Sequence, residues 1–304
     1  MLSENIKRYI LSSLSVTSEK GITELQSLTD GKSGSEVYRI RVNSSRSRNS
    51  GIYIVKLTSI NSFWYDEKNN EATANEVLKT HIEDFNNRIV KKYADSIVDD
   101  YHVMIFRQAN DSILKTVSLE KLKLSEQQKV ISVLAYELLN NWNPNCHYES
   151  KPINDLFFSA LSYRLEENGT FIKRINCLLE KSEAEAICIN KKILPNPHYY
   201  IFHINEWAEK AQNISFFMGN VHGDLHRKNI LCSKENTGNK EIDYFLIDYD
   251  TYSDSKGLFF DHAYLELSIY FDTIFVEQDT KSLYDTICKI VSCDLFSDIS
   301  NTVD

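Results

Sequence analysis

The sequence predicts an α+β fold with two lobes, in which a small β-rich lobe precedes a larger helical lobe. Residues 35–42 and 52–58 are short runs rich in β-branched and aromatic residues. The polar stretch NSSRSRNSG separates them, a pattern typical of a β-hairpin. From Ser125 onward, SEQQKVISVLAYELLNNW repeats its apolar residues at helical spacing. We therefore expect an N-terminal lobe over residues 1–109 and a C-terminal lobe over residues 110–304.

In the N-terminal lobe, a helix is expected over residues 3–14, with a cap supplied near Ser3. In the first strand of the hairpin, the buried face should carry Tyr38, Ile40 and Val42. The remaining elements expected in this lobe are a helix over residues 71–85 and a buried strand, HVMIFRQ, over residues 102–108.

In the C-terminal lobe, the spacing of apolar residues predicts mostly helices. The expected helices cover residues 125–142, one or two segments within 154–181, residues 205–216 and residues 261–271. Two short strands, around residues 230–232 and 243–248, flank the polar stretch SKENTGNKE.

Composition excludes several classes of protein. The chain has 304 residues, of which 42% are hydrophobic and 25% charged, as in ordinary globular proteins with a sizeable core. Its formal net charge of -9 argues against a general nucleic-acid binder, which needs a basic face. We therefore expect no nucleic-acid partner.

The cysteines and the apolar segments indicate a soluble, cytoplasmic protein. Six cysteines form no CxxC pair, which favours reduced thiols over a disulfide framework or a zinc site. The N-terminus lacks the pattern of a signal peptide, and no apolar run reaches the roughly 18–20 residues that cross a bilayer. No membrane partner is expected.

The stretch VHGDLHRKNIL at residues 221–231 carries the strongest chemical signal, and its two histidines first suggest a transition-metal site. Asp224-Leu225-His226 is a D-x-H, as in metallophosphoesterases, but such sites need further ligands downstream. Here Gly238-Asn239 is followed by Lys240 rather than histidine, so this interpretation is not favoured. A capped loop with chance polar residues is the remaining alternative to a catalytic role.

Phosphoryl transfer fits the spacing better. Asp224 and Asn229 are five residues apart, as in a kinase catalytic loop, with His222 at the loop's first position. Asp248 follows 19 residues after Asn229, at the end of the apolar segment YFLI. Aspartate and asparagine supply the hard oxygen donors that Mg²⁺ prefers. The pattern predicts a base near the attacking hydroxyl and two metal ligands.

HGDLHRKNIL followed by FLIDYD resembles the core of the aminoglycoside phosphotransferase and choline-kinase-like branch of the protein kinase fold. The resemblance implies ATP and Mg²⁺ as cofactors, with Asp224 as catalytic base. Asn229 and Asp248 would bind the metal, and His222 would be structural. Asp250 stands where the family usually has glycine, which leaves the conformation of this segment open.

A second segment, at residues 261–266, resembles the family's D-x-A-x-L-E motif, in which the aspartate braces the catalytic loop. This ending is also similar to kinase-like modules of bacterial conflict systems, the ternary complex associated domains. That narrower resemblance implies other defence-system proteins as partners and a chain that belongs to a larger protein.

The N-terminal lobe should supply the nucleotide-binding residues. Gly34 and Ser35, just before the first hairpin strand, resemble the family's short phosphate loop, and Val37 would cover the adenine. Lys56 lies within the apolar strand IYIVKLT on its Ile52/Ile54 face. There it either extends to solvent or, as we favour, contacts phosphate.

Two glutamates are candidates for the carboxylate that pairs with this lysine. Glu71 heads an apolar stripe, whereas Glu76 faces residues typical of a solvated surface, so Glu71 is the better candidate and Glu76 stays open. Backbone groups within 105–107 should meet the adenine, without a single contact residue being fixed by the sequence. For His226, packing in the loop and contact with substrate are equally supported.

The acceptor is expected to be a hydroxyl-bearing small molecule or protein, selected by a helical insert at about residues 143–215. Its mixed charges do not favour a polycationic antibiotic. The alternative function is a catalytically silent kinase-like module that senses nucleotide or acts as a scaffold.

Overall fold

The structure is a computed structural model, and it describes these residues: 2–16, 21–27, 35–43, 50–62, 83–90, 92–107, 116–153, 155–156, 172–173, 184–189, 192–196, 199, 202–203, 213–233 and 242–277. The described residues form a mixed arrangement of helices and antiparallel sheets. Among them, no helix is both long enough and apolar enough to cross a membrane.

The chain divides into two compact units, each made from separate stretches of sequence. One unit comprises Met1–Leu138, Asp224–Thr251 and Asp261–Asp304, and the other comprises Leu139–Gly223 and Tyr252–Phe260. The expected lobe boundary near residue 109 stays a prediction.

The first unit contains a five-stranded antiparallel sheet with the order β1-β2-β3-β5-β4. Its strands are β1 (Ile22–Ser27), β2 (Glu36–Val42), β3 (Gly51–Ser59), β4 (Lys92–Val98) and β5 (Tyr101–Arg107). The predicted hairpin is confirmed as β2 and β3, and the predicted strand over residues 102–108 is confirmed as β5. Strands β1 and β4 were not predicted, and each lies at an edge of the sheet.

One face of this sheet is covered by helix α1 (Glu4–Ser13), which confirms the expected N-terminal helix. Ser3 caps it, because its hydroxyl accepts a hydrogen bond from the Ile6 amide at 3.3 Å. The resulting core combines the inner face of α1 with alternate residues of β2, β3 and β5: Ile6, Ile10, Leu14, Tyr38, Ile40, Val42, Tyr53, Val55, Leu57, Val103 and Ile105. The buried alternation predicted for β2 is therefore confirmed.

The opposite face of the sheet carries Ile54, Lys56, Met104 and Phe106, because side chains alternate along each strand. Met104 and Phe106 pack there with Val90, Ile54, Phe245 and Ile247. Residues from late in the sequence, Phe245 and Ile247, therefore pack on this second face of the sheet.

The rest of the first unit surrounds a small antiparallel sheet of order β12-β11-β6. Its strands are β6 (Thr116–Ser118), β11 (Ile230–Ser233) and β12 (Tyr244–Leu246). Two helices accompany it, α2 (Leu124–Asn140) and α3 (Phe260–Glu277). The helices expected over 125–142 and 261–271 and the two short strands are thus confirmed, with α3 longer than expected.

The second unit contains an antiparallel sheet of order β13-β10-β7 and a separate two-stranded ribbon. The sheet strands are β7 (His147–Pro152), β10 (Asn213–Val221) and β13 (Ser253–Gly257), and the ribbon strands are β8 (Ala186–Ile189) and β9 (Lys192–Pro195). Asn143 joins the sheet to the end of α2, accepting from the Asn220 amide at 2.6 Å and donating to its carbonyl at 3.0 Å.

The expectation of a mainly helical C-terminal lobe is wrong for the residues that the structure describes. Within the insert at 143–215, residues of β7, β8, β9 and the start of β10 are extended. The helix expected over 205–216 is wrong for residues 213–216, which belong to β10. Most of 154–181 and of 71–85 lies outside the described residues.

Candidate functional site

Lys56 and Asp248 meet in the first unit, although 192 residues separate them in the sequence. Lys56 Nζ lies 2.5 Å from Asp248 Oδ1 and 3.2 Å from Asp250 Oδ1. The lysine side chain is 10% exposed, that of Asp250 14% and that of Asp248 36%. A mostly buried ammonium is stable only with such partners, because burial removes its water.

Lys56 reaches this position because of its place on β3. It is on the sheet face opposite α1, paired with Val37 of β2 on one side and Met104 of β5 on the other. The same face carries the apolar residues Ile54, Met104 and Phe106. The predicted strand position and face of Lys56 are confirmed.

Asp248 reaches the lysine because the segment after β12 packs onto the same sheet face. Ile247 contacts the cluster that contains Met104 and Phe106, and its amide donates to the Asn229 carbonyl at 3.1 Å. Asp248 itself has a φ of 67°, the left-handed region that non-glycine residues rarely adopt. Backbone strain of this kind concentrates at functional sites.

An ionic network formed by Arg88, Glu137 and Tyr244 holds strand β12 in place. Glu137 of α2 accepts two hydrogen bonds from Arg88, each at 2.9 Å, and one from the Tyr244 hydroxyl at 2.6 Å. Burial raises the pKa of the Glu137 carboxyl, but its hydrogen bonds to Arg88 and Tyr244 outweigh burial and hold the pKa below its ordinary value. The network fixes the strand that leads to Asp248.

The loop from Asp224 to Asn229 is closed by hydrogen bonds between its own ends. Asn229 is buried, and its Nδ2 donates to the Asp224 carbonyl at 2.9 Å. The His226 amide also donates to that carbonyl, at 3.0 Å, and the Asn229 amide donates to the His226 carbonyl at 2.9 Å. The five-residue spacing of Asp224 and Asn229 therefore corresponds to one compact turn.

The side chains of Tyr264 and His226 approach the carboxylate of Asp224. The Tyr264 hydroxyl donates to Oδ1 at 2.7 Å, and His226 Nε2 lies 3.6 Å from Oδ2. His226 also caps the short turn that follows, because its Nδ1 accepts from the Lys228 amide at 3.2 Å. The structure thus gives His226 a packing role within the loop.

The loop is also braced by α2 and α3. Arg227 Nη1 donates to Gln127 Oε1 of α2 at 3.2 Å, and the Gln127 amide group donates to the Leu122 carbonyl at 2.9 Å. His262 Nε2 of α3 lies 3.1 Å from the Ala135 carbonyl of α2. The loop is therefore linked to α2 through Arg227, and α2 is joined to α3 through His262.

The residues that precede the loop belong to the second unit. His222 is fully buried. Gly223 has a φ of 83°, which a glycine adopts without strain and other residues do not.

The predicted nucleotide-binding residues are described in part. Ser35 is buried, and its hydroxyl shares a hydrogen bond of 2.8 Å with that of Thr58. Val37 is half-buried beside Lys56. Gly34, Glu71 and Glu76 lie outside the described residues, so the choice of lysine partner between the two glutamates stays a prediction.

Two contributors to the site were not predicted. Asp250 appeared only as a departure from the family's glycine, and Tyr264 only as a position within the D-x-A-x-L-E segment. Helical spacing was the available signal for Tyr264, because it lies three residues after the buried Asp261 and one before the buried Leu265. No sequence signal identifies its partner.

The donor atoms fit a hard divalent cation that is also bound by phosphates. Within the described ranges, no group of three or more His, Cys, Asp or Glu side chains is arranged to hold a metal ion. Asn229 and Asp248 supply an amide oxygen and a carboxylate, and Mg²⁺ commonly takes one or two such ligands while phosphates and water complete its shell. Because Nδ2 of Asn229 binds the Asp224 carbonyl, its Oδ1 is the atom available for a metal.

Comparisons with known proteins give little further identification. No family model matches the chain, and no curated protein matches it. A solved structure with some similarity is the kinase domain of PF14_0431, at 16% sequence identity and a TM-score of 0.31. The alignment covers 77% of this chain and 52% of that one, so this chain spans about half the length of that domain. A similarity this low carries no argument about function.

Proposed function

We propose that this chain is an ATP-dependent phosphotransferase that moves the γ-phosphate of ATP to a hydroxyl group. The observation that carries the proposal is the contact between Lys56 Nζ and Asp248 Oδ1 at 2.5 Å. Kinase chemistry requires a strand lysine for the nucleotide phosphates and an aspartate for Mg²⁺ at one place. The sequence pattern independently predicts these roles for Lys56 and Asp248.

Each residue of the site has a distinct task in this proposal. When bound, Mg²⁺ would neutralise charge on the phosphates, held by Asn229 and Asp248. Lys56 would bind the phosphates with its ammonium group once the nucleotide competes for it. Asp224 would accept the proton of the attacking hydroxyl and hold that oxygen in line with the phosphorus.

The alternative function is that of a catalytically silent module that senses nucleotide. It predicts nucleotide binding without phosphate transfer. One observation favours it, namely the second carboxylate on Lys56. Asp250 lies 3.2 Å from the ammonium group, so a nucleotide must displace two carboxylates rather than one. The two functions differ in whether label from the γ-position reaches an acceptor.

The test is transfer of labelled γ-phosphate from Mg-ATP to a cell lysate, separated into small-molecule and protein fractions. The wild-type chain should label at least one component, and Asp248→Ala should label none, because it lacks the carboxylate that binds the metal. Asp254→Ala is a matched control, since it removes an exposed aspartate of β13 outside the site.

Labelling by both wild type and Asp254→Ala but not by Asp248→Ala would support the transferase. Binding of Mg-ATP without any labelled acceptor would favour the sensing module instead. Equal labelling by wild type and Asp248→Ala would show that the assigned metal ligand is wrong.

A further inference from the structure

Tyr264 belongs to α3 and lies next to the loop that contains Asp224. It follows the buried Asp261 by three residues and precedes the buried Leu265, so it lies along the helix face that packs inward. The neighbouring His262 binds the Ala135 carbonyl at 3.1 Å, which fixes this turn of α3 against α2. The position of the tyrosine ring is therefore set by the helix pair.

The hydroxyl of Tyr264 donates a hydrogen bond of 2.7 Å to Asp224 Oδ1. Hydrogen bonds from a hydroxyl to a carboxylate are shorter and stronger than those between neutral groups. The contact joins residues 40 positions apart and links α3 directly to the proposed base.

The bond from Tyr264 differs from the backbone hydrogen bonds of the loop, because it reaches the carboxylate of Asp224. The Asn229 amide group holds the main chain of Asp224 through its carbonyl at 2.9 Å, but this does not fix rotation of the carboxylate. His226 Nε2, at 3.6 Å from Oδ2, lies beyond hydrogen-bond distance. The bond from the Tyr264 hydroxyl, at 2.7 Å, acts on the carboxylate itself and is short enough to hold Oδ1 in one orientation.

We propose that Tyr264 is a positioning residue for the phosphotransfer reaction, which orients Asp224 so that Oδ2 meets the acceptor hydroxyl. This inference rests on the proposed function. The acceptor proton moves to Oδ2 while the acceptor oxygen bonds to the γ-phosphorus. The bond from that phosphorus to the bridging oxygen breaks, and ADP leaves with the electron pair. The tyrosine keeps its own proton throughout.

The test uses Tyr264→Phe, which removes one oxygen and keeps the ring. The readout is steady-state hydrolysis of Mg-ATP, in which water is the acceptor. We expect kcat to fall about tenfold, because misplacing a catalytic group by a fraction of an ångström to 1 Å costs rates of this order. The KM for Mg-ATP should stay within about twofold, because Tyr264 makes none of the proposed nucleotide contacts.

A double-mutant cycle separates positioning from a structural role. In an Asp224→Ala background, Tyr264→Phe should cause no further loss of kcat, because the tyrosine then has no carboxylate to orient. Tyr148→Phe, which alters an exposed tyrosine of β7, is the control and should behave as wild type.

The outcomes distinguish this inference from the proposed function. Hydrolysis that depends on Asp224 but is unchanged in Tyr264→Phe would overturn the inference and leave the function standing. An equal fall of kcat in both backgrounds would also overturn it, because the effect would not act through Asp224. Hydrolysis that survives Asp224→Ala at the wild-type rate would overturn the proposed role of Asp224 as base and the inference together.

Discussion

Lys56 is the residue on which the site depends most, because its ammonium group compensates two carboxylates that otherwise repel each other. Asp248 and Asp250 both lie within 3.2 Å of its Nζ. Asp248 has a strained backbone, with a φ of 67°. The pairing with Lys56 and the packing of Ile247 hold it in this conformation. Removing the positive charge of Lys56 should therefore affect folding as well as nucleotide binding.

Lys56→Met keeps most of the aliphatic stem and removes the charge. We expect the free energy of unfolding to fall by about 2 kcal/mol, below the full cost of breaking a buried pair, because Asp248 is partly exposed. Affinity for Mg-ATP, measured by calorimetry, should also fall because a phosphate contact is lost.

Lys7→Met is a matched control, since Lys7 also lies near two carboxylates, those of Glu4 at 3.0 Å and Glu24 at 3.9 Å. Its pairs are more exposed, and surface ion pairs contribute little. Similar losses of stability in the two variants would contradict a special role for the Lys56 pairing.

At the residue scale, the sequence predicted what depends on local spacing. The compact loop from Asp224 to Asn229 and the strand position of Lys56 could be predicted because both are short-range patterns. Their roles in phosphate transfer stay predictions. The contact of Tyr264 with Asp224 could not be predicted, because it depends on how α3 docks.

Among the secondary-structure elements, β12 is held in place by side chains from distant parts of the chain. One ionic network joins three elements: a short 3-10 helix through Arg88, α2 through Glu137 and β12 through Tyr244. The Arg88 guanidinium also lies over the Tyr244 ring, 4.5 Å from its centre. The network therefore couples stability to the placement of the segment that contains Asp248, the proposed metal ligand.

Glu137→Gln should lower the free energy of unfolding at pH 7 by about 1–3 kcal/mol, because charge-assisted hydrogen bonds from Arg88 and Tyr244 weaken. The pKa of Glu137 is held below its ordinary value of 4.5 in the folded chain. Its contribution is therefore complete above pH 4.5 and is lost as pH falls through the lower, folded-state pKa.

Urea denaturation from pH 7 to pH 3 measures this difference. The gap between wild type and Glu137→Gln should shrink as pH falls below about 4.5. Glu4→Gln, an exposed change in α1, should track the wild type throughout. A gap that stays constant or widens on acidification would show that the carboxylate does not gain its charge stabilisation from this network.

The elements that sequence reasoning missed have irregular or polar patterns. The pairing of β1 with β2 shifts register between Glu24 and Gln26, and that of β4 with β5 shifts between Lys92 and Ala94. Such bulges break the period of two that identifies a strand. In β10, by contrast, Ile214, Phe216 and Met218 alternate with other residues, which is the period of two that identifies a strand.

For the whole molecule, the two compact units are not consecutive halves of the sequence. The unit that holds the five-stranded sheet also includes Asp224–Thr251, which contains the proposed catalytic loop and Asp248. Local periodicity cannot predict such a grouping, because it depends on contacts between distant segments, such as the one between Tyr244 and Glu137 across 107 residues. The proposed catalytic residues Lys56, Asp224, Asn229 and Asp248 all lie within that one unit.

The measurement that tests the central claim most directly compares wild type and Asp224→Asn for Mg-ATP binding and γ-phosphate transfer in the same preparation. Saturating Mg-ATP should raise the thermal midpoint of both chains, with a stabilisation of about 2.7 kcal/mol at 100 times the dissociation constant. Transfer should fall by about 10²–10⁴-fold in the variant, because the base is lost while the nucleotide contacts remain. Wild-type transfer rates in Asp224→Asn, or no stabilisation of either chain by Mg-ATP, would contradict the account.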